Sequence, residues 1–296
     1  MRHVHVLIPA LSLAFGVAHR GVAQRPAPPF IQSLAWSPDG RQLVLAAVME
    51  SWERGFQLYV LGVDGAPLRE LDLQGGQRPL YPVFVTNERV AFGMTKDSMT
   101  GVWVVNVNGG GLRMLVAGER VGAPSFSPDG RRLAFNAPVD GKRQVFVTDA
   151  DGTGRRRASP GPGNNWNPQW SPDGQRVTWY SDREGGGEHD TIYVANGDGA
   201  DEQKVTAGVF PTWTPDGRIV FSDQDGEGAG LFIVNADGSG RRRLVERAVY
   251  GAMSPDGAWI AFVSYDGNPA PGTTRKYRLE LVRADGSGRR TLLPQR

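Results

Sequence analysis

The chain has 296 residues and no cysteine, and its 33 lysine and arginine residues nearly balance its 31 aspartate and glutamate residues. The lack of cysteine excludes disulfides, thiolate catalysis and the acylated cysteine of a lipoprotein. Because the net charge is only +2, we expect no nucleic-acid partner.

Residues 1–23 have the pattern of a secretory signal peptide. Arg2 lies in a short positive region, residues 6–18 are mostly apolar, and Gly21-Val22-Ala23 resembles a cleavage site. The apolar stretch is too short to span a membrane. We therefore expect a periplasmic or secreted bacterial protein that does not span the membrane, with a linker at residues 24–29. A retained anchor or an irregular tail is the alternative.

A turn of sequence Ser-Pro-Asp-Gly recurs along the rest of the chain. It begins at Ser37, Ser127, Ser171 and Ser254, and Thr214 begins a close variant. The starts are 40 to 44 residues apart, except for one doubled interval that contains the degenerate copy Val85-Thr86-Asn87-Glu88. A period of this length indicates a stacked array or a propeller.

A second signature follows each of these turns at a similar distance. It is a short apolar strand followed by Asp-Gly or Asn-Gly, and its six copies have their glycines at Gly65, Gly109, Gly152, Gly199, Gly238 and Gly286. Such dipeptides close tight hairpins because they tolerate left-handed backbone conformations.

Each repeat therefore predicts four strands, A to D, with the first turn between A and B and the second between C and D. Six such units predict an all-β protein, a six-bladed β-propeller of four-stranded antiparallel blades over residues 30–296. The repeats run in phase, so we expect blade six to consist of its own four strands and the ring to close by apolar contact with blade one. In blade two, Asn87 or Glu88 is expected to adopt a left-handed turn conformation.

The repeats resemble a known family. Trp-Ser-Pro-Asp-Gly turns such as Trp170–Gly174, the Asp-Gly second turn and Tyr180-Ser181-Asp182-Arg183 are similar to the propeller repeats of the TolB family over residues 30–293. The resemblance implies a β-propeller and points to the Tol–Pal envelope system, in which the TolB propeller contacts Pal. TolB carries an α/β domain before its propeller, whereas we expect here a stand-alone TolB-like propeller. No Pal-contact residue carries over, since only the turn motifs match.

Catalytic patterns are sparse. Processing would leave His189 as the only histidine, so a three-histidine metal site is impossible and a Ser-His-Asp triad would depend on that residue. No Gly-x-Ser-x-Gly motif follows the repeats. We expect no cofactor and favour a non-enzymatic protein. The alternative is a carbohydrate-active or other small-molecule enzyme that uses carboxylates of the B–C loops: Glu50, Glu53, Asp182, Glu184, Asp223, Asp225 and Glu227.

Two further motifs have structural interpretations. The arginine runs 155–157, 241–243 and 289–290 fall at the start of strand D, where charge on an edge strand prevents pairing with other molecules; the alternative is a basic rim for an acidic partner or glycan. Asp149-Ala150-Asp151-Gly152 is predicted to be a turn, because a calcium loop requires more oxygen ligands than follow it.

The D–A and B–C loops should share one face of the disc, and their sequences vary most between repeats. Variable loops on a rigid repeat scaffold commonly bind ligands. On this loop face we predict ligand-binding residues in blades one and four, on opposite sides of the channel: Trp52, Arg54, Trp166, Arg183 and His189. Tyr81, Phe210 and Tyr250 either join them or pack between blades. We therefore expect an exported monomeric propeller that recognises a protein or peptide of the cell envelope; a structural component beside a separate partner is the remaining alternative.

Overall fold

The computed structural model describes residues 29–184, 190–225, 228–266 and 276–293, without the side chains of residues 224, 225 and 228. The predicted signal peptide and His189 lie outside these ranges. Within them, no helix has the length and apolarity that crossing a membrane would require.

The described residues form 24 strands in six antiparallel sheets of four. Blades one to three contain β1 (Phe30–Trp36), β2 (Gln42–Val48), β3 (Gln57–Gly62), β4 (Arg69–Glu70), β5 (Gln77–Thr86), β6 (Arg89–Lys96), β7 (Met99–Asn106), β8 (Arg113–Ala117), β9 (Gly122–Phe126), β10 (Arg132–Val139), β11 (Lys142–Asp149) and β12 (Arg156–Arg157). Blades four to six contain β13 (Asn165–Trp170), β14 (Arg176–Ser181), β15 (Thr191–Asn196), β16 (Gln203–Ala207), β17 (Val209–Trp213), β18 (Arg218–Asp225), β19 (Gly228–Asn235), β20 (Arg242–Glu246), β21 (Ala248–Met253), β22 (Trp259–Tyr265), β23 (Tyr277–Arg283) and β24 (Arg290–Leu293).

The first strand of each blade is innermost, and each of these strands contacts the first strand of the next blade, with β21 returning to β1. The predicted six-bladed propeller is confirmed. In the described ranges, blade six consists of its own four strands, as expected. Blade one meets it through the rings of Phe30 and Tyr277, whose centroids are 5.4 Å apart. Trp36 Nε1 also donates a hydrogen bond to the carbonyl of Ala252 at 2.9 Å.

The Ser-Pro-Asp-Gly turn is held by its serine and aspartate. In blade one, the buried Ser37 hydroxyl donates to Asp39 Oδ1 at 2.6 Å and accepts from the backbone N–H of Gln42 at 2.9 Å. Asp39 Oδ1 also accepts from the N–H of Arg41 at 3.1 Å. The hydrogen bond from Ser37 is the largest of the effects that hold the pKa of Asp39 below its ordinary value. The same hydroxyl–carboxylate pair recurs in blades three to six.

These turns also contact one another around the ring. A Cβ placed on Gly40 would lie 3.7 Å from Cδ of Pro255, the proline of the preceding blade. Gly174 stands in the same relation to Pro128. The turn motif therefore serves both the hairpin and the contact between blades.

Blade two corrects one expectation. Neither Asn87 nor Glu88 has a positive φ, although they form a two-residue hairpin in which Thr86 pairs with Arg89. The pairing of β5 with β6 shifts register between Phe84 and Thr86, and such an irregularity adjusts the strand twist just before the turn. Asn87 instead acts through its side chain, whose Oδ1 accepts the backbone N–H of Asp39 in blade one at 3.0 Å.

The first arginine of each basic run packs on the blade. The guanidinium carbon of Arg155 lies 3.9 Å from the ring centroid of Phe146, and that of Arg241 lies 4.6 Å from the centroid of Phe232. Arg289 is 5.3 Å from the centroid of Phe262. These contacts support a structural role for the first arginine of each run.

Replacing Ser171 with alanine should destabilise the fold by about 1 kcal/mol, because the backbone N–H of Arg176 and the carboxylate of Asp173 would each lose their hydrogen bond to a buried hydroxyl. Urea unfolding measures the change. The matched control is Ser287→Ala, since that hydroxyl also pairs with an aspartate, Asp285, but in an exposed turn; its effect should stay below about 0.5 kcal/mol. Equal effects of the two substitutions would contradict the role given to the buried serine.

Replacing Asn87 with valine should cost about 0.5 to 1 kcal/mol, because the N–H of Asp39 loses its acceptor. Asn87→Gly separates this cause from backbone strain. Glycine also removes the acceptor but accepts any turn conformation, so it should destabilise the protein as valine does. A glycine variant as stable as the parent, measured by thermal unfolding, would show that the side-chain contact contributes nothing.

Candidate functional site

Five inner strands carry a non-glycine residue in the left-handed region four residues before the first turn or its degenerate copy. These residues are Tyr81, Ala123, Asn167, Phe210 and Tyr250, with φ between 50° and 56°. The pairing of each inner strand with its neighbour shifts register close to them. Such bulges redirect side chains, and each left-handed residue costs about 1 kcal/mol or more. The same strain recurs around the channel. Strained backbone positions cluster at functional sites, so the channel is a candidate site.

Inner strands of all six blades surround a central cavity of about 250 Å³. Its wall is predominantly aromatic and apolar, and the blades contribute, in order, Trp36, Pro82, Pro124, Trp170, Trp213 and Tyr250 among other residues. A volume of this size holds a small ligand or one side chain.

A second cavity of about 310 Å³ opens on the loop face over blades two to four. Tyr81 and Asn167 line both cavities and therefore stand between them. The B–C loops of blades two and three are only two-residue hairpins, at 97–98 and 140–141. These short hairpins keep the wall low on this side. The cavity combines apolar with polar side chains: Leu80, Met94, Val121, Trp166, Arg78, Arg120, Asn136 and Arg143.

Arg143 is the most buried charge in this wall, with 8% of its surface exposed. Its Nη1 donates to the carbonyl of Arg120 at 3.0 Å and to Asn136 Oδ1 at 3.2 Å, and its backbone N–H donates to Asn164 Oδ1 at 2.9 Å. Burial lowers the pKa of Arg143, but a guanidinium keeps its proton in proteins. The cavity therefore has a fixed positive charge in a region of low dielectric constant.

A row of aromatic rings runs beside the channel from blade four through blade five to blade six. Trp166 stacks on Tyr180 with centroids 5.3 Å apart, Tyr180 meets Phe210 at 5.4 Å, and Phe210 meets Tyr250 at 4.7 Å. Burial raises the pKa of Tyr180, of Tyr250 and of nearby Tyr81. Their hydroxyls stay protonated, and none of the three forms a hydrogen bond with another residue of the described ranges. Of the three, Tyr81 and Tyr250 line a cavity and are available there as donors.

Asp190 adds a carboxylate near this row, since its charge contributes to the raised pKa of Tyr180. Burial, and secondly the charge of Asp182, raise the pKa of Asp190 to about 6. Asp182 itself accepts hydrogen bonds from the backbone and side-chain nitrogens of Asn164 at 2.6 and 2.8 Å. Through Asn164, this acidic pair is connected to Arg143.

Of the residues predicted to bind a ligand, Trp166 lies in the cavity wall. Trp52 packs on Phe30 and Phe56, with centroids 5.5 and 5.8 Å away, on the opposite side of the ring. Arg54 is exposed and forms ion pairs with Glu70 at 2.8 Å and Glu50 at 3.2 Å. Neither Trp52 nor Arg54 lines either cavity.

The guanidinium of Arg183 is used by contacts within the protein. Its Nη2 donates to Glu202 Oε2 at 3.0 Å and to Asn165 Oδ1 at 3.1 Å, and its guanidinium carbon lies 4.0 Å from the ring centroid of Tyr193. These contacts tie the B–C loop of blade four to the inner strand β13, to β15 and to the turn before β16. His189 lies outside the described residues. Ligand contacts by Trp52, Arg54, Arg183 and His189 stay predictions.

The structure adds residues that motif analysis missed, namely Arg143, Asn136, Asn167 and Tyr180. Asn167 could have been found by aligning the repeats, because it occupies the same position as Tyr81, Phe210 and Tyr250. No sequence pattern singles out Arg143. It is the second residue of β11, and only the fold places that end of the strand beside a cavity.

Comparison with known proteins adds a family assignment. The family model of the TolB beta propeller domain matches residues 84–295. Uncharacterized protein Atu1656 of Agrobacterium fabrum is 24% identical, and the match covers 80% of this chain and 86% of that protein. Uncharacterized peptidase YuxL of Bacillus subtilis is 28% identical over 56% of this chain but only 25% of its own length. The crystal structure of TolB from Acinetobacter baumannii shares the fold, with a TM-score of 0.69 and 18% identity over 89% of this chain and 63% of TolB.

Asp190 should make the stability of the protein fall as pH rises from about 4 to about 6. The folded protein raises its pKa from 3.8 to about 6, so the stabilising protonated state is lost over that interval. Asp190→Asn removes this loss. After discounting for partial exposure, the variant should be about 1 to 2 kcal/mol more stable than the parent at pH 7.5 and nearly equal at pH 3.5.

Urea unfolding at both pH values measures this difference. Asp140→Asn is the control, because it removes an exposed carboxylate from a hairpin and should change stability by less than about 0.5 kcal/mol at either pH. A destabilised Asp190→Asn variant at pH 7.5 would show that the carboxylate is stabilised by its surroundings.

Proposed function

The chain belongs to the family of TolB β-propeller domains, and from that premise we propose that it is a binding propeller that recognises a protein or peptide of the cell envelope at its loop face. The observation that carries the proposal is the pair of adjoining cavities at the channel. Buried rings and a buried guanidinium surround them, and the hydroxyls of Tyr81 and Tyr250, which form no hydrogen bond within the described part of the chain, remain available as donors. Aromatic and arginine side chains in preformed cavities are typical anchors of recognition.

We further propose export to the periplasm or the medium, which the pattern of residues 1–23 supports, and a monomeric state. Family membership supports the envelope as the place of action. The ligand enters from the loop face, because the cavity over blades two to four opens there between short hairpins. An extended peptide segment could reach both this cavity and Trp52 in blade one across the channel.

One observation favours a second candidate. Asp182 and Asp190 are neighbouring carboxylates, and the pKa of Asp190 is raised to about 6, as is expected of a general acid. YuxL is named a peptidase, although the matched region is a quarter of it. Hydrolysis of peptide and oligosaccharide libraries by the purified protein, lost in Asp190→Asn, would favour an enzyme. No turnover by the parent protein would exclude this candidate.

Truncation of the cavity wall should weaken partner binding, whereas changes at the outer edge should not. A partner isolated from envelope extract is titrated against the parent protein and its variants by biolayer interferometry. Trp166→Ala should raise the dissociation constant about 5- to 30-fold, or about 1 to 2 kcal/mol. Arg183→Ala is measured beside it, with a thermal unfolding control, because that side chain also ties blade four together.

The matched controls are Arg156→Ala and Arg242→Ala, which remove exposed arginines from outer strands. Both should bind within about twofold of the parent. If these edge variants weakened binding and Trp166→Ala did not, the binding surface would be the rim of the disc and the proposed loop-face site would be wrong.

A further inference from the structure

The cavity over blades two to four has an excess of positive charge. The charged residues that line it are Arg78, Arg120, Arg143 and Glu119. Glu119 lies within 3.7 Å of Arg120, and its side chain is 83% exposed. The one acid is therefore at the solvent edge, while Arg143 is buried in the wall. A negatively charged ligand group would be attracted to the interior of the cavity.

Asn167 provides a second, independent observation. It is 9% exposed and lines both cavities, and its side-chain amide forms no hydrogen bond with any residue in the described part of the chain. Its amide atoms are not among the fully buried ones, so they are reachable from the cavity. The left-handed conformation of Asn167, with φ of 53°, has a cost in free energy. A hydrogen bond from the amide to a ligand would offset that cost.

The remaining walls define what surrounds the charged group. Leu80, Val121 and Trp166 offer apolar surface, and the protonated hydroxyl of Tyr81 is a further donor. The donors are thus an amide and a phenol, beside the charge of Arg143, whose Nη1 already donates to the carbonyl of Arg120 and to Asn136. Carboxylates match such a set because they carry a negative charge and accept hydrogen bonds on both oxygens. A volume of about 310 Å³ accommodates roughly one residue of a peptide.

We propose that this cavity is a carboxylate-binding pocket, in which Asn167 and Tyr81 donate hydrogen bonds to the carboxylate of a partly apolar residue and the charge of Arg143 attracts it. The proposal rests on the proposed function, since that residue belongs to the recognised partner. The carboxylate comes either from a chain terminus or from an acidic side chain. In both cases the apolar part of the residue packs on Trp166 and Leu80.

The test uses three small probes and the full-length protein labelled with ¹⁵N. N-acetylphenylalanine carries a terminal carboxylate, N-acetylphenylalaninamide is its neutral twin, and the α-amide of N-acetylglutamate carries a side-chain carboxylate. Titration follows the indole N–H signal of Trp166, assigned with Trp166→Phe. At least one acid should bind with a dissociation constant on the order of 1 mM, and the amide at least tenfold more weakly. The stronger acid identifies the source of the carboxylate.

Asn167→Asp is the decisive variant. It keeps the shape of the side chain and tolerates the left-handed backbone, but it places a negative charge in the pocket. Binding of the acids should weaken at least tenfold, while binding of the amide should stay within about twofold. Asn108→Asp adds the same charge to an exposed turn on the opposite face and should leave both unchanged. Arg143→Lys, which retains the charge but loses the planar fork, should weaken the acids less than Arg143→Met does.

Equal binding of acid and amide, or equal effects of Asn167→Asp and Asn108→Asp on the acids, would overturn the pocket. These outcomes are distinct from a failure of the proposed function. If Asn167→Asp bound an envelope partner as tightly as the parent does, the proposed binding function would be supported and the carboxylate pocket would be wrong. Binding of an acid probe in the expected pattern supports the pocket even if no envelope partner is found.

Discussion

A four-stranded blade has two apolar faces and cannot bury either of them alone, and the whole structure depends on this constraint. The hydrophobic clusters therefore lie between blades. Val44 and Leu58 of blade one pack with Phe92 and Trp103 of blade two, and Val145 of blade three packs in a cluster with aromatic residues of blade four. Since each blade is stabilised by its neighbours, a ring is the arrangement that leaves no apolar face exposed.

Ring closure restricts the chain most strongly near the axis, where six strands converge. The recurring turns of adjacent blades contact one another closely, as Gly40 does Pro255 and Asn87 does Asp39. The inner strands meet it with bulges and left-handed residues, which turn aromatic and amide side chains toward the channel. The packing of the ring thus produces a lined cavity, and the residues that occupy the bulge positions determine its chemistry.

Most polar and aromatic side chains on the loop face are used by the fold itself. Gln144 illustrates this, since its Oε1 accepts hydrogen bonds from Arg157, Ser159 and Asn165 and so joins blades three and four. Arg183 continues the same network to Glu202. What distinguishes the cavity over blades two to four is that the side chains of Tyr81 and Asn167 form no hydrogen bond with the residues that the structure describes. Availability, rather than residue type, separates binding groups from structural ones on this face.

The sequence by itself determined the blade count, the four strands of each blade and the position of both turns, because these depend on local signals: proline and glycine at fixed offsets, and alternating apolar residues between them. It also placed Trp166 on the loop face. It was wrong about the backbone of Asn87, since a neighbouring blade and a strand irregularity decide that turn. Only the tertiary structure decided which polar residues remain available, because hydrogen-bond partners such as Glu202 for Arg183 come from other segments of the chain. Arg143 entered the cavity wall for the same reason: its neighbours there, from Tyr81 to Asn167, are brought together by the ring and not by the order of the chain.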